Sequence, residues 1–229
     1  MIEEHKDKFQ SSLVERRVKY EEELAEMAKQ VDELKEVGDI DEMPFYVKKV
    51  QGLHKQLQAG MDTIANINKE EQLYKWPVTA YPLRKQILST LEPFQALYQT
   101  VVNFQKSFKK WMDGSFQELD AEQIEAEIDA AKREINRLST VIVSSAPQNI
   151  MKQINVRIEE IMSNIELIRA ICNPGLRERH WIKMSEMSAL NLKPDSSTTL
   201  RKMLKMDLNP FLDKFKDISG TLYLSFLLF

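Results

Sequence analysis

The sequence predicts an all-α protein made of elongated antiparallel helical bundles with a long N-terminal helix. Glycine and proline are scarce, with 6 and 8 among 229 residues, and 29% of the residues are charged. Apolar residues recur at steps of three and four along most of the chain, which is the spacing of one helix face. The alternation typical of a half-buried strand does not occur before the last ten residues, so helices are predicted throughout.

The first predicted element, in residues 1–44, is one long helix that runs to about residue 37 and is roughly 50 Å long. Its apolar seam is interrupted only by Arg17 and consists of Leu13, Tyr20, Leu24, Met27, Val31 and Leu34. The heptad phase covers only about three repeats, so the sequence is compatible both with docking on a neighbouring helix and with self-dimerisation as a coiled coil. The stretch from Gly38 to Pro44 then breaks the helix.

Residues 45–92 predict a helical hairpin. The second helix has its apolar face at Val50, Leu53, Leu57, Ile64, Ile67 and Tyr74, and we expect it to pack antiparallel to the first. Trp76-Pro77 and Tyr81-Pro82 bracket a turn, because each proline moves the residue before it out of the α region. This turn is the predicted subdomain hinge. A third segment begins at Leu83, and Pro93 is expected to kink the helix or restart it.

Residues 93–189 predict a bundle of three amphipathic helices. The first carries a continuous apolar stripe formed by Phe94, Leu97, Val101, Phe104, Phe108 and Trp111. The second has an isoleucine-rich stripe from Ile124 to Ile142, and the third has another from Ile150 to Ile168. Each stripe has to be buried, so we expect the three helices to pack on one another.

Capping signals mark where the second and third helices of this bundle begin. Asp120 with Gln123 forms a capping-box pattern, and Ser145 with Gln148 repeats it. Asn173-Pro174-Gly175 cannot continue a helix and therefore ends the third one.

The C-terminal part of the chain predicts short helices in residues 190–219. The last of them begins at Asn209-Pro210 and is expected to end near Ile218. Residues 220–229 form an apolar tail without charge or proline, which predicts strand-like pairing and poor solubility. The alternative is that this tail folds back over the last helices.

Composition and motifs argue against most kinds of chemistry. The six glycines never approach the spacing of a phosphate-binding loop, and the three histidines are scattered without partners at metal-ligand spacing. Residues 1–42 hold 14 acidic and 7 basic side chains, which leaves the remainder only weakly basic, so neither part resembles a nucleic-acid binder. Cys172 is the single cysteine, and a buried thiol in a reducing compartment is expected. A catalytic site, a cofactor and a metal are not expected.

Signals for membrane insertion or export are also lacking in the sequence. The first residues do not combine a charged segment with an apolar run, and no span of about 18 apolar residues occurs. The expectation is a soluble intracellular protein that does not associate with membranes.

One dense polar and aromatic cluster follows the break at Asn173-Pro174-Gly175. Trp and Arg are frequent anchors of protein interfaces, so the cluster is a candidate contact site for a partner helix. The structural interpretation is that Trp181 plugs the end of the bundle while Arg179 and His180 satisfy helix-end carbonyls. Together with two residues of the bundle, the structural or interface candidates are Trp111, Asp120, Arg177, Arg179, His180 and Trp181.

The chain resembles the N-terminal tail and linker region of dynein heavy chains, the axonemal ones in particular. The resemblance covers residues 45–218, and the Arg-x-Arg-His-Trp segment is very characteristic of that family. The matching stretches are Phe104-Gln105-Lys106, Trp111-Met112-Asp113-Gly114, Phe116-x-x-Leu119-Asp120-Ala121-Glu122 with Ile124, Asn173-Pro174-Gly175-Leu176-Arg177-Glu178-Arg179-His180-Trp181 and Thr199-Leu200-Arg201-Lys202-Met203-Leu204.

This resemblance implies a mechanical role rather than an enzymatic one. In the family, residues like 1–44 belong to the tail, those like 45–92 lead into the linker, and those like 93–189 form a linker bundle. The linker transmits force from a ring of ATPase modules, and those modules come later than the stretch seen here. Asp120, Arg179, His180 and Trp181 match family positions as architectural residues.

The implied partners are dynein intermediate and light chains and other dynein arm subunits, with microtubule doublets as indirect neighbours. The implied location is the cytoplasm and cytoskeleton, in the axoneme of a cilium or flagellum. Residues 220–229 depart from the family pattern, so the chain resembles a truncated or alternatively spliced product without the motor ring. The alternative function is an independent helical scaffold or coiled-coil adaptor, which the periodicity equally allows.

Overall fold

The computed structural model describes the backbone of residues 2–226 and the side chains of residues 7–220. It confirms the all-α prediction, since 79% of the chain is helical and no strand occurs within residues 2–226. The helices of this part are α1 (Ile2–Glu33), α2 (Met43–Leu73), α3 (Pro82–Asp113), α4 (Ala121–Val141), α5 (Ser145–Met162), α6 (Ile165–Ile171), α7 (Glu178–Ser188), α8 (Leu200–Leu204) and α9 (Leu212–Phe226). Short 3-10 turns occupy Leu34–Glu36, Phe116–Glu118 and Asn209–Phe211. None of these helices is long and apolar enough to cross a bilayer.

The chain folds into two compact units. The first unit comprises residues 1–99 and 137–150, and the second comprises residues 100–136 and 151–229. Helices α3, α4 and α5 each contribute residues to both units. The division therefore does not follow the order of the chain.

In the first unit, α1 and α2 run antiparallel, as the sequence predicts. Arg17, in the middle of α1, pairs with Glu71 near the end of α2, and Lys49 near the start of α2 pairs with Glu33 at the end of α1. The predicted seam of α1 is buried from Leu13 to Leu34. Tyr98 of α3 is fully buried and donates a hydrogen bond from its hydroxyl to the carbonyl oxygen of Leu34 at 3.1 Å.

The α2–α3 turn, which the sequence predicts to be a hinge, is tied to a buried carboxylate. Glu71 is completely buried and accepts hydrogen bonds from Thr79 N at 2.7 Å and Thr79 Oγ1 at 2.5 Å. Arg17 Nε lies 3.3 Å from the same carboxylate, and Trp76 N donates to the Glu71 carbonyl at 2.8 Å. Lys75 adopts a left-handed backbone conformation with φ of 59°. The carboxylate and the backbone carbonyl of Glu71 thus fix the turn to the end of α2.

Pro93 does not restart α3, contrary to one of the two outcomes expected for it. The helix continues from Pro82 to Asp113 with Pro93 inside it. Proline in a helix interior costs about 3 kcal/mol because it removes one hydrogen bond and crowds the preceding turn. Leu91 and Phe94, on either side of Pro93, are both buried, and this packing outweighs the local cost.

The second unit contains the C-terminal part of the aromatic stripe. Val101, Phe104 and Trp111 are buried, and Phe108 is half-buried beneath the guanidinium of Arg157, 5.7 Å from the ring centre. Ser107 Oγ donates a hydrogen bond to Glu127 at 2.7 Å and so connects α3 with α4. The Lys132–Glu159 pair connects α4 with α5 at 3.0 Å.

The third helix of the predicted bundle is two helices rather than one. It stops at Met162 and resumes at Ile165. Ser163 Oγ and Asn164 Nδ2 each donate a hydrogen bond of 2.9 Å to the carbonyl oxygen of Glu160. Short polar side chains compete with the backbone for carbonyl groups in this way, which explains the break.

The two predicted capping boxes do not form with both of their reciprocal hydrogen bonds. Asp120 Oδ1 accepts from the backbone N–H groups of Glu122 and Gln123 at 2.9 and 3.2 Å, so it caps α4 as expected. The Gln123 side chain instead bonds Glu127 at 2.8 Å. Gln148 donates to the carbonyl oxygen of Ile142, at 2.6 Å, and thereby closes the end of α4 rather than the start of α5.

The C-terminal elements belong to the second unit. Arg201 of α8 makes two hydrogen bonds to the carboxylate of Asp113, at 2.6 and 3.0 Å. Helix α9 continues to Phe226, beyond the end expected near Ile218, because Gly220 does not interrupt it. The predictions about the apolar tail, residues 220–229, concern side chains that lie almost wholly outside the described residues.

Candidate functional site

A concave surface of the second unit, which we call the α4–α9 groove, lies between α4, α6 and α9. Its volume is about 840 Å³, and it is open to solvent on one side. One wall is the start of α4 with the 3-10 turn before it, and the other wall consists of α6 and α9. Its lining also includes the small side chains of Ala121, Ala170 and Cys172. Most of the other lining residues are polar or charged.

A chain of charges links the two walls. Arg169 pairs with Glu125 of α4 and donates to Glu166 at 2.6 Å, and Lys216 of α9 lies 2.9 Å from Glu166. The hydrogen bond from Lys216 is the main reason why the pKa of Glu166 lies below its usual value. All of these side chains are on the surface, so the network fixes positions more than it adds stability.

The turn from Cys172 to Gly175 lies between α6 and α7, lines the groove and contacts α9. Asn173 Oδ1 accepts from Gly175 N at 2.8 Å, and Asn173 Nδ2 donates to Ser219 Oγ at 2.7 Å. Asn173 therefore shapes the turn and holds α9 against it. Burial, helped by the charge of Asp120, raises the pKa of the Cys172 thiol to about 12, so the thiolate needed for reactivity is scarce.

A second depression lies on the other side of the same turn. It shares Leu119, Cys172 and Pro174 with the α4–α9 groove and is lined further by Leu176 and Trp181. The two stretches around Asp120 and from Asn173 to Trp181, far apart in sequence, therefore meet around one turn.

His180 begins α7 by capping it. The backbone N–H of Arg177 donates to His180 Nδ1 at 2.9 Å, which makes the neutral imidazole an acceptor at this nitrogen. Its Nε2 then carries the proton, so the 3.1 Å contact with Arg179 Nε is one between two donors. Burial and the charges of Arg179, Arg177 and Lys183 lower the pKa of His180 and favour this neutral form. His180 therefore satisfies an N–H group and not the helix-end carbonyl that the sequence analysis assigned to it.

Trp181 packs in the second unit as a large apolar side chain. It is 9% exposed, and its ring meets that of Phe116 edge to face at 6.1 Å between centroids. Arg177 and Arg179, in contrast, are exposed. Within the candidate cluster, Trp181 is thus a buried side chain, His180 caps α7, and Arg177 and Arg179 are exposed cations.

The other two candidates lie at different places. Asp120 is on the wall of the α4–α9 groove, where its carboxylate caps α4. Trp111 is 4% exposed and packs edge to face on Phe104, away from the groove lining. Trp111 therefore belongs to the core, while Asp120 and Trp181 line the two depressions that share the Cys172–Pro174 turn.

Sequence reasoning missed the residues that make the opposite wall. No local sequence signal marks Glu166, Arg169 and Lys216, because each resembles an ordinary charged residue on the outer face of a helix. Helices α4, α6 and α9 come together only through the fold. Periodicity within one helix cannot reveal such a meeting.

The arrangement holds no visible catalytic machinery in the part of the chain that the structure describes. Within that part, no group of three or more His, Cys, Asp or Glu side chains is placed to bind a metal ion. Several of the groove's polar groups form ion pairs or caps, and its thiol is poorly ionised.

Comparisons with known proteins identify a matching family and several relatives. The family model for dynein heavy chain, N-terminal region 2, matches residues 84–221. That range includes both stretches that meet at the Asn173 turn.

Individual relatives extend the similarity over nearly the whole chain. Dynein axonemal heavy chain 12 of Mus musculus is 34% identical over 224 residues, which are 96% of this chain and 7% of that protein. Dynein axonemal heavy chain 3 of Mus musculus is 29% identical over 218 residues, or 94% of this chain and 5% of that protein. Dynein axonemal heavy chain 1 of Homo sapiens is 26% identical over 179 residues, or 76% of this chain and 4% of that protein. The chain thus spans only a small part of the length of these relatives.

Proposed function

Because the chain belongs to the dynein heavy chain family, as the resemblance predicts, we propose that it serves as a tail and linker segment of an axonemal dynein. In this role it is a mechanical and assembly element of the motor complex that moves cilia and flagella. It has no motor activity of its own. Its partners are dynein intermediate and light chains and other arm subunits, and its location is the axoneme.

The observation that carries this proposal is the extent of the similarity to axonemal heavy chains, which covers 96% of the chain for dynein axonemal heavy chain 12 of Mus musculus. A short shared motif would be compatible with many helical proteins. A match that also includes α1, α2 and the turn between α2 and α3 is more specific. It extends the similarity to elements that lie before the range of the family model.

The structure supports a mechanical role through the way its connections are fixed. Glu71 ties the α2–α3 turn, and Asn173 ties α9 to the end of α6. A segment that transmits force needs connections that resist bending, and buried hydrogen bonds supply such resistance better than exposed loops do. The polar contacts of these connections therefore agree with the proposed role.

The test is to express the tagged chain in ciliated cells and to fractionate isolated axonemes. We expect the chain to be recovered with axonemes, to be released with dynein by high salt, and to co-sediment with intermediate chains on a sucrose gradient. An unrelated helical protein of similar length, carrying the same tag, serves as the control.

A different result of the fractionation would contradict the proposed function. If the chain stays outside the axonemal fraction and sediments alone or with itself, the dynein role is wrong for this chain. The independent scaffold or coiled-coil adaptor would then be the better interpretation.

A further inference from the structure

We propose that Ser115 is a phosphorylation site for a serine kinase that selects acidic sequences, and that Arg201 receives the phosphate. Ser115 lies in the short segment between α3 and α4. The conformation of this segment and the side chains around it carry the inference, which does not depend on the dynein role.

The sequence offers four serines that such a kinase could select. Each has a glutamate three positions later, and they are Ser12, Ser89, Ser115 and Ser163. A kinase chooses substrates partly by charge, because basic side chains beside its active site pair with acidic residues of the substrate. The segment after Ser115 is the most acidic of the four, since Asp120 and Glu122 follow Glu118.

Three of these serines lie in or beside helices and are restrained. Ser12 and Ser89 lie inside α1 and α3. Ser89 Oγ and Ser163 Oγ each donate a 2.9 Å hydrogen bond to the carbonyl oxygen three residues earlier. A serine held in a helix reaches the active site of a kinase only after local unfolding, which costs free energy.

Ser115, in contrast, is presented to solvent. It is exposed, and its backbone is extended, with φ of −61° and ψ of 122°. Its hydroxyl makes no hydrogen bond to any of residues 7–220, so it can react without first losing a contact. Glu118 is exposed too, and its N–H donates to the carbonyl oxygen of Ser115 at 3.2 Å. The serine and its glutamate are therefore accessible together.

The modification is a phosphoryl transfer from ATP. Ser115 Oγ attacks the γ-phosphorus, the bond from that phosphorus to the bridging oxygen of the departing ADP breaks, and the hydroxyl proton passes to a carboxylate of the kinase. The product carries about −1.5 to −2 charges and three acceptor oxygens. Cations beside the site would hold such a group through charge-assisted hydrogen bonds.

Arg201 is placed to receive this phosphate. It donates two hydrogen bonds to the carboxylate of Asp113, two residues before Ser115, at 2.6 and 3.0 Å. A guanidinium has more N–H donors than these two, so others remain for the phosphate. The backbone also brings the loop before α8 to this place, because Phe116 N donates to the carbonyl oxygen of Thr198 at 3.4 Å.

The surrounding charges are mixed, with cations in the majority. The hydrogen bond from Arg201, and then the charges of Arg201 and Lys109, hold the pKa of Asp113 below its usual value. Lys202 Nζ lies in the loop before α8, 2.5 Å from a backbone carbonyl oxygen. These three cations offset the repulsion that the carboxylates of Asp113 and Glu118 exert on a phosphate.

The test uses the full chain, casein kinase II as the acid-directed kinase and radiolabelled ATP, and mass spectrometry locates the phosphate. We expect incorporation at Ser115. Synthetic peptides around each of the four serines serve as the reference, because a short peptide lacks the helical restraint. We expect Ser12, Ser89 and Ser163 to be phosphorylated more readily in the peptides than in the folded chain.

Matched variants locate the site and its recognition. Ser115→Ala should abolish incorporation, and Glu118→Gln should slow it at least several-fold, because the kinase loses a charged contact. The control Glu166→Gln removes the corresponding glutamate after Ser163 and should leave the rate unchanged. Circular dichroism checks that each variant is folded. Absence of incorporation, incorporation at another serine instead, or equal incorporation into Ser115→Ala would overturn the proposal.

A second measurement tests the role of Arg201. Phosphorus NMR follows the second ionisation of the phosphate, whose pKa of about 6 falls when a cation lies beside it. We expect this pKa to be lower in the phosphorylated chain than in the phosphorylated Ser115 peptide and to rise in the variant Arg201→Gln. The control Arg133→Gln removes an exposed cation of α4 and should leave the pKa unchanged.

Equal pKa values in the two arginine variants would show that Arg201 does not receive the phosphate. Neither the kinase assay nor the NMR titration bears on recovery of the chain with axonemes. The proposed phosphorylation and the proposed dynein role therefore fail separately.

Discussion

Two glycines of α2 differ in what a side chain would meet at their positions. A Cβ atom at Gly60 would overlap the hydroxyl of Tyr20, which is 3% exposed, while one at Gly52 would meet nothing within 4 Å. Gly60 is therefore needed for the close packing of α1 on α2. Gly52 has no such role and only weakens the helix.

We expect these two positions to respond to alanine with opposite signs. Gly60→Ala should lower the free energy of unfolding by about 1–3 kcal/mol, because Tyr20 must move. Gly52→Ala should raise it by up to about 1 kcal/mol through helix propensity. Urea titration followed by circular dichroism measures both, and destabilisation by Gly52→Ala would contradict the packing described here.

Adjacent glutamates of α2 provide a second comparison at the residue scale. Glu70 pairs with Arg16 on the surface, whereas Glu71 is buried and holds both Arg17 and Thr79. Glu71→Ala should cost about 1–3 kcal/mol, because it removes the acceptor of the Thr79 hydrogen bonds and leaves the partly exposed Arg17 without its partner. Glu70→Ala should cost less than about 1 kcal/mol. The same urea titration decides, and similar costs at the two positions would mean that Glu71 is not a structural clamp.

At the scale of elements, the start of α7 should make stability depend on pH. The folded state lowers the pKa of His180, so the unfolded chain binds a proton more readily than the folded one does. The stabilising contribution is complete above the unfolded pKa of about 6.5 and is lost as the pH falls through that value toward the folded pKa. Acidification below neutrality should therefore weaken the cap.

The variant His180→Gln tests this effect, because a glutamine at the same position can accept from the Arg177 N–H without titrating. We expect the variant and the natural chain to have similar unfolding midpoints at a pH of roughly 7.5, and the natural chain to lose more stability toward a pH of about 5. Parallel pH profiles of the two proteins would show that His180 does not titrate on unfolding in the manner inferred.

Trp181 and Ile182 compare a buried with an exposed position of α7. Trp181→Ala should lower the free energy of unfolding by about 3–5 kcal/mol through lost contacts and the cavity left beside Phe116. Ile182 is 51% exposed, so Ile182→Ala should change the free energy by roughly 0.5 kcal/mol or less. If Trp181→Ala kept the unfolding midpoint but lost a partner, Trp181 would be an interface anchor rather than a plug.

The elements were predictable from sequence where burial follows the helical period. The seam of α1, the aromatic stripe of α3 and the cap at Asp120 all appear as expected. The break at Ser163 and Asn164 was not predictable in this way, because the isoleucine stripe continues across it while the polar side chains bond the backbone. Local competition for a carbonyl group leaves the apolar pattern unchanged.

The candidate site was predictable only in part. Arg177, His180 and Trp181 stand out as a cluster in the chain, but their different roles depend on which atoms face them in the fold. The opposite wall of the groove depends on α6 and α9 approaching α4, and no short segment encodes that approach. Glu71 was hidden for the same reason, since its partners Arg17 and Thr79 lie in other elements.

At the scale of the whole molecule, we predict that the chain does not bind nucleotides. The sequence contains no glycine-rich phosphate loop, so the purified chain should neither bind nor hydrolyse ATP above background. Thermal unfolding with and without ATP and Mg²⁺ measures binding, and phosphate release measures hydrolysis. A saturable shift of the unfolding temperature by ATP would contradict the prediction.

The interleaving of the two units constrains how the chain is made. The first unit includes residues 137–150 in addition to residues 1–99, and residues 100–136 of the second unit lie between them. A ribosome that has translated this sequence only as far as Gln99 has not yet supplied the end of α4 or the start of α5. The nascent first unit must therefore wait, with part of its apolar surface uncovered, until translation has passed Ile150 and that segment has left the exit tunnel. During this interval the uncovered apolar surface makes the nascent unit prone to aggregation.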